Sequence, residues 1–359
     1  MAATITRRTL VAGLGGAAAL PLLGRGAAAQ APLGVGYVYV GPTGDYGWTW
    51  THDQGRKAVE AAYGDKVKTS FVENVAEGPD AERVIRQLAS AGNKLIFTTS
   101  FGFMNPTARV ARTLPNVFFE HATGYQRAAN LATYNARFYE GRAVCGTIAG
   151  HMSKTGQAGY IASFPIPEVV MGINAFTLAA RKVNPNFRTR VVWVSTWYDP
   201  AKEADAAKAL IDQGADILTQ HTDSPAPLQA AEQRGLFGFG QASDMKAYAP
   251  KAQLTSIVDD WAPYYVERVK AVMDGTWKSG DTWGGMKDGF VKIAPYGDAV
   301  TEPARKAADE LKAAIVAGTT HPLAGPLTDQ KGEVRLPAGQ SMTDEMLSKM
   351  DWYVEGVQS

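Results

Sequence analysis

The chain has 359 residues, with 36 Lys+Arg against 35 Asp+Glu for a net charge of +1, and it holds one cysteine. Near-neutrality argues against a nucleic-acid or membrane-surface binder, and the lone Cys145 excludes any intramolecular disulfide. The length exceeds what one core usually holds and suits two α/β lobes.

The first element is an export signal over residues 1–29. Arg7-Arg8 precedes an uncharged stretch over 9–24, then Arg25 and Ala27-Ala28-Ala29, the order of a segment that is cleaved rather than inserted. The apolar part is shorter than the ~20 residues of a spanning helix. Thr6–Val11 also fits a twin-arginine signal loosely. Cleavage near Gln30 removes three arginines and no acids, so the balance becomes 33 − 35 = −2. With no cysteine beside the cleavage site, a soluble exported protein without a lipid anchor is expected.

From residue 34 the chain alternates. Apolar runs over 34–40, 67–74, 94–99 and 116–120, and one ending at 133–135, read as strands. Segments 53–63, 79–90, 105–114 and 139–152 carry helical spacing. A second series follows, with strands over 158–163, 190–195, 216–220 and 236–240 and helices over 168–183, 202–213 and 226–234. Such alternation predicts parallel sheets covered on both faces. Two series predict two doubly wound lobes, with ligands held at the carboxyl ends of the strands. The polar tail after Tyr296 reads as structure wrapping one lobe. Cys145, in a Gly/Ala-rich helical stretch, reads as a small core residue.

The strand-end loops are rich in aromatic and amide groups. Gly41-Pro42-Thr43-Gly44 leads into Asp45, Tyr46, Trp48 and Trp50. It has neither the GxGxxG nor the GK[ST] spacing of a phosphate cradle. Thr99–Met104 supplies Phe101, Glu120-His121 ends a further strand, and Asn135 ends the next. The second series presents Phe164 and Glu168, Ser195–Asp199 with Trp197, His221–Ser224 with Asp223, and Gln241–Asp244. Aromatics at these places either pack the lobe edges or grip a flat ligand, and Trp48 facing Trp197 across a cleft suits a sandwich. His121 fits a ligand contact or a hydrogen-bonded structural group, with the structural reading preferred, and Asp199, before Pro200, is also a good helix cap. No GxSxG, HExxH or CxxC motif is present, and His52 and Asp53, adjacent on a helix, point to different faces. This reading assigns no catalytic residue, cofactor or metal.

Gly44–Trp48, Glu73–Gly78, Tyr134–Gly141, Lys202–Ala207, Leu210–Asp216 and Gly240–Met245 together resemble the basic membrane protein family. That family belongs to the type I periplasmic binding proteins of ABC importers. The resemblance spans nearly all of the mature chain. It implies two lobes joined by a three-crossover hinge, with crossings near Asn135, Thr255 and Trp283. Lobe 1 would be residues 33–135 plus 256–283, and lobe 2 residues 136–255 plus 284–359 with the C-terminal extension. It further implies a monomeric periplasmic receptor that closes on a purine and delivers it to an inner-membrane permease. Trp48 and Trp197 would sandwich the base and Asn135 would read its edge, with Tyr46, Phe101, Phe164, Asp223 and Asp244 completing the site. Two departures point away from nucleosides. Ala242 stands where such relatives place a ribose-holding Asp, and Asp259-Asp260-Trp261 follows Thr255-Ser256 where they carry a Lys. The variant pattern resembles the branch that binds a free base such as adenine.

Overall fold

Short runs, apolar and buried on both faces at the sheet centres but half-exposed over Val67–Val72 and Arg188–Trp193, form the strands of two largely parallel sheets. The computed structural model describes residues 31–44 and 46–359; the export segment expected over 1–29, like Asp45, lies outside them. The first sheet is built from β1 (Leu33–Val38), β2 (Val67–Val72), β3 (Leu95–Thr98), β4 (Phe118–Ala122) and β5 (Leu131–Ala136). Helices α1 (Trp48–Tyr63), α2 (Pro79–Ser90) and α3 (Met104–Thr113) connect them. Helix α4 (Phe138–Met152) opens the second series. It continues with β6 (Gln157–Ala162), α5 (Pro167–Val183), β7 (Arg188–Trp193), α6 (Pro200–Asp212), β8 (Ile217–His221), α7 (Ala226–Gln233), β9 (Phe237–Gly240) and β10 (Gln253–Asp259).

The chain then returns. Helix α8 (Ala262–Met273) packs on α1, and β11 (Asp281–Gly284) pairs in parallel with β5. It crosses once more to β12 (Val291–Ile293), antiparallel to β10, and to α9 (Glu302–Val316), which packs on α4. The strand orders are β11-β5-β4-β3-β1-β2 and, with β15 (Val357–Gln358) at the far edge, β12-β10-β9-β8-β6-β7-β15. The backbone therefore passes between the sheets after Ala136, after Asp259 and after Gly284.

Many of the aromatic side chains are buried in the core. Tyr37 stacks on Phe97 at 5.0 Å, and Tyr134, Tyr265 and Trp261 close around them, fully buried. Glu120 on β4 is also fully buried, and it accepts from Tyr264 Oη at 2.7 Å, Arg268 Nε at 2.5 Å and Trp277 Nε1 at 2.6 Å. These bonds fasten α8 and the segment after it to the first sheet. In the second lobe α4 and α5 pack so closely that a Cβ on Gly146 would lie 2.1 Å from the carbonyl oxygen of Phe176. Cys145 is buried in this contact, and burial pushes its thiol up to about 12, so it behaves as a small apolar residue.

The tail wraps the second lobe. Leu323, Leu336, Met342, Leu347 and Met350 cover Val170, Met171 and Ala175 of α5. Asn174 Nδ2 donates to the Trp352 carbonyl at 2.8 Å, and its Oδ1 accepts from Val354 N at 3.0 Å. Among the described residues no helix is long and apolar enough to cross a membrane.

Helix α1 starts at Trp48, one and a half turns before the expected start at residue 53. Its early buried residues are Thr49, Thr51, His52 and Asp53, so no apolar stripe marks them. Local bonds satisfy them instead: Thr49 Oγ1 accepts from Gly41 N at 3.2 Å, and Thr51 Oγ1 donates to the Trp48 carbonyl at 2.8 Å.

Candidate functional site

A parallel sheet leaves its carboxyl-end loops free to converge, and the two sheets bring theirs together in one cleft. Its pocket takes Val40 from beyond β1, Trp48 from the start of α1, Ser100 and Phe101 from beyond β3, and Thr123 from beyond β4. The other wall is Glu168 beyond β6, Trp197 beyond β7, His221 and Asp223 at and beyond β8, and Gln241 beyond β9. A second pocket adjoins it, sharing Phe101, Thr123 and Glu168 and adding Asn135, Trp283 and Met171. A groove on the outer side of Trp197 is lined by Phe164, Asn74 and Glu77.

The two tryptophans are held differently. Trp48 donates from Nε1 to the Thr99 carbonyl at 2.5 Å, and its ring stands edge-on to His52, Trp261 and Phe138 at 4.3, 5.4 and 5.9 Å. It is half-buried, anchored by the first lobe with part of its surface in the pocket. Trp197 contacts Phe164 at 5.1 Å and His221 at 6.5 Å, and its Nε1 donates across the cleft to Glu77 Oε1 at 3.2 Å. Glu77 is itself oriented by Ser100 Oγ and Gly102 N.

The lobes touch at a second place. Ser243 Oγ donates to the Tyr46 carbonyl, and the Tyr46 ring stacks on Trp50 at 4.8 Å and meets Tyr248 edge-on at 5.3 Å. Gly47 abuts the second lobe, where an added Cβ would lie 2.4 Å from the Asp223 carbonyl oxygen.

Of the residues expected at the site, Trp48, Phe101, Trp197 and Asp223 line the main pocket, Asn135 the adjoining one, and Phe164 the groove. Tyr46 lies at the contact between lobes rather than in a pocket wall. Asp244 is exposed and accepts from Lys246 N at 3.0 Å and Gln253 Nε2 at 2.7 Å, outside all three. The neighbour that reaches the pocket is Gln241, whose Oε1 accepts from the buried Arg142. Asn135 has its Oδ1 on the Ala136 N–H at 2.7 Å.

Glu168, His221, Gln241, Ser100 and Thr123 all lie in strand-end segments that the sequence presents, but none is among the residues expected to hold the ligand. Position at the strand end was the available indication; weighting aromatics and aspartates hid it. Burial holds His221 below the ordinary 6.5, with Arg142 adding to the effect and Glu168 opposing it. Asp199 caps α6 by accepting from Lys202 N at 3.1 Å, and buried His121 bonds Thr98 Oγ1 at 2.9 Å. His52 and Asp53 face different partners: His52 Nδ1 meets Tyr265 Oη at 2.5 Å, while Asp53 pairs with Arg56 and Lys57.

Residues 33–320 match the family of PnrA-like ABC transporter substrate-binding proteins (Bmp). The chain belongs to that family. It is a substrate-binding protein and not an enzyme. A purine-binding protein of Brucella abortus is 58% identical over 336 residues, covering 94% of this chain and 96% of that one. A Haloferax volcanii protein, provisionally named as an ABC transporter glucose-binding protein, is 38% identical and covers 90% of this chain and 79% of its own. An ABC transporter solute-binding protein of Aeropyrum pernix superposes with a TM-score of 0.72 over 80% of this chain and 92% of that one, at 18% identity. This last likeness speaks for the type I periplasmic binding fold alone. Membership implies a small-molecule ligand and a permease partner.

Proposed function

We propose that the protein is an exported, periplasmic receptor that captures a free purine base, adenine foremost, between Trp48 and Trp197 and passes it to an inner-membrane permease. The observation that carries this reading is the pocket walled by one indole from each lobe in a chain 58% identical to a purine-binding protein. Flat heterocycles gain most from such walls, because every base has a π face to offer. The base would sit with Phe101 at its flank, and the Asn135 amide would reach its edge from the adjoining pocket. Closing the lobes excludes water and strengthens each polar contact inside.

Ala242 supports a base over a nucleoside. It is fully buried with φ of 64°, and its carbonyl accepts from Asp259 N at 2.8 Å. It therefore brings no side chain that could hold a ribose hydroxyl. Asp260 pairs with Lys292 and Trp261 lies in the core, stacked on His52 at 4.6 Å.

Mass spectrometry of the solute released on denaturing the purified protein, with calorimetric titration of adenine, adenosine and glucose, tests the reading. A released purine base and a clear preference for adenine are the expected results. Tighter binding of adenosine overturns the free-base assignment, and binding of glucose alone overturns the purine reading altogether.

A further inference from the structure

We infer that Glu168 and His221 form the end of the pocket that accepts a ring N–H of the bound base, and that this contact selects free purines over nucleosides. The inference rests on the purine reading above and adds the atoms that would discriminate.

The two residues come from neighbouring strands, since β6 and β8 pair in parallel with Ala162 opposite His221, and Glu168 stands in the first turn of the helix that follows β6. Both line the main pocket, with side chains only 11% and 7% exposed. Glu168 Oε1 lies 3.5 Å from His221 Nε2. Their remaining polar atoms, Glu168 Oε2 and His221 Nδ1, have no hydrogen-bond partner among the described residues. Buried polar atoms are rarely left in that state, so each calls for an explanation.

Chemistry gives the two atoms the same sense. A carboxylate only accepts, so the imidazole nitrogen facing it carries the hydrogen, and a neutral ring then has a bare lone pair at Nδ1. Burial keeps that ring neutral at pH 7. Arg142 does not complete the pair: its Nη1 and Nη2 donate to Thr219 Oγ1 and Gln241 Oε1, and its Nε has no hydrogen-bond partner among the described residues. Two residues of the pocket lining thus each keep a buried acceptor that only a donor can satisfy.

Every free purine carries one imidazole N–H, at N9 or N7. A nucleoside has a sugar on N9 and a lone pair on N7, so its imidazole edge brings no donor and leaves the acceptors unmet. Sites with buried groups left unpaired reject such analogues more strongly than purely apolar pockets do.

The test is calorimetric titration of the wild type and Glu168→Gln with adenine, 9-methyladenine and guanosine. 9-Methyladenine keeps the amino group and loses the ring N–H. The wild type should bind it at least tenfold more weakly than adenine, and Glu168→Gln should lose at least tenfold for adenine while changing 9-methyladenine less than twofold. Guanosine, which offers N1–H and an amino group from another edge, should bind no better than 9-methyladenine. Equal wild-type affinity for adenine and either substituted ligand, or an unchanged adenine affinity in the variant, overturns the assignment and leaves the purine reading standing. Failure of all three ligands with the wild type overturns both. If Glu168→Gln does not fold, His221→Phe with the same ligands answers the question, with a tenfold loss for adenine expected and no loss overturning it.

Discussion

Trp197 of the second lobe donates its indole N–H to Glu77 of the first at 3.2 Å, so a residue expected to grip the ligand also ties the two walls together. Glu77 receives Ser100 and Gly102 on its own side, and its removal loosens the closed cleft without touching a lobe core. Glu77→Ala should speed ligand release roughly fivefold, the scale of one modest hydrogen bond, with an unchanged melting temperature. Stopped-flow displacement measures it, and an unaltered release rate means the bond does not hold the closed state.

The stacking pair should split by its surroundings. Either Trp48→Ala or Trp197→Ala should weaken purine binding by roughly 1–3 kcal/mol, the worth of one aromatic platform. Trp48 also packs on His52, Trp261 and Phe138. Its truncation should therefore lower stability too, though by less than the ~3–5 kcal/mol of a fully buried Trp. Among the described residues the rings that Trp197 meets are Phe164 and His221, so its variant should keep its melting point. Titration and melting on the same preparations decide this; normal binding by both folded variants removes them from the site.

Asn135→Leu separates a ligand contact from a backbone brace. Its Oδ1 holds the Ala136 N–H where the chain leaves the first sheet, and its amide faces the adjoining pocket. The expected outcome is a loss of at least tenfold in purine affinity, about 1.4 kcal/mol. A lower melting temperature with full affinity would make the residue a brace alone.

Acid should destabilise the protein through its histidines. Burial holds His52 well below 6.5, His121 down at about 3 and His221 below its ordinary value. The unfolded chain then binds protons that the folded one refuses. Stability is complete above about pH 6.5 and falls as pH drops toward the folded values, with a limiting slope of up to about 4 kcal/mol per pH unit for three such groups. Melting curves from pH 7 to 5 should show the fall, and His121→Gln should make it shallower; a flat profile would mean these rings are not buried as neutral groups.

The double-wound layout was legible because buried parallel strands are short apolar runs, as in Leu95–Thr98, and Pro79 and Pro167 mark helix starts. The start of α1 was hidden because Thr49, Thr51 and His52 bury polar groups with local partners. Val357–Gln358 could not be read as a strand, since two residues carry no period and pair only once β7 is in place. At the site, Trp48 and Trp197 announce themselves as large π faces at strand ends. Choosing between Gln241 and Asp244 needs the turn itself, in which one points into the cleft and the other to solvent.

Gly47 sets how near the lobes can come. Peptide meets peptide at this spot, and a single methyl group would overlap the Asp223 carbonyl. Any side chain there acts as a doorstop: Gly47→Ala would leave each lobe folded yet keep the jaw ajar, giving a receptor arrested at first encounter with its solute and exposing to the permease a face unlike that of the loaded, shut form.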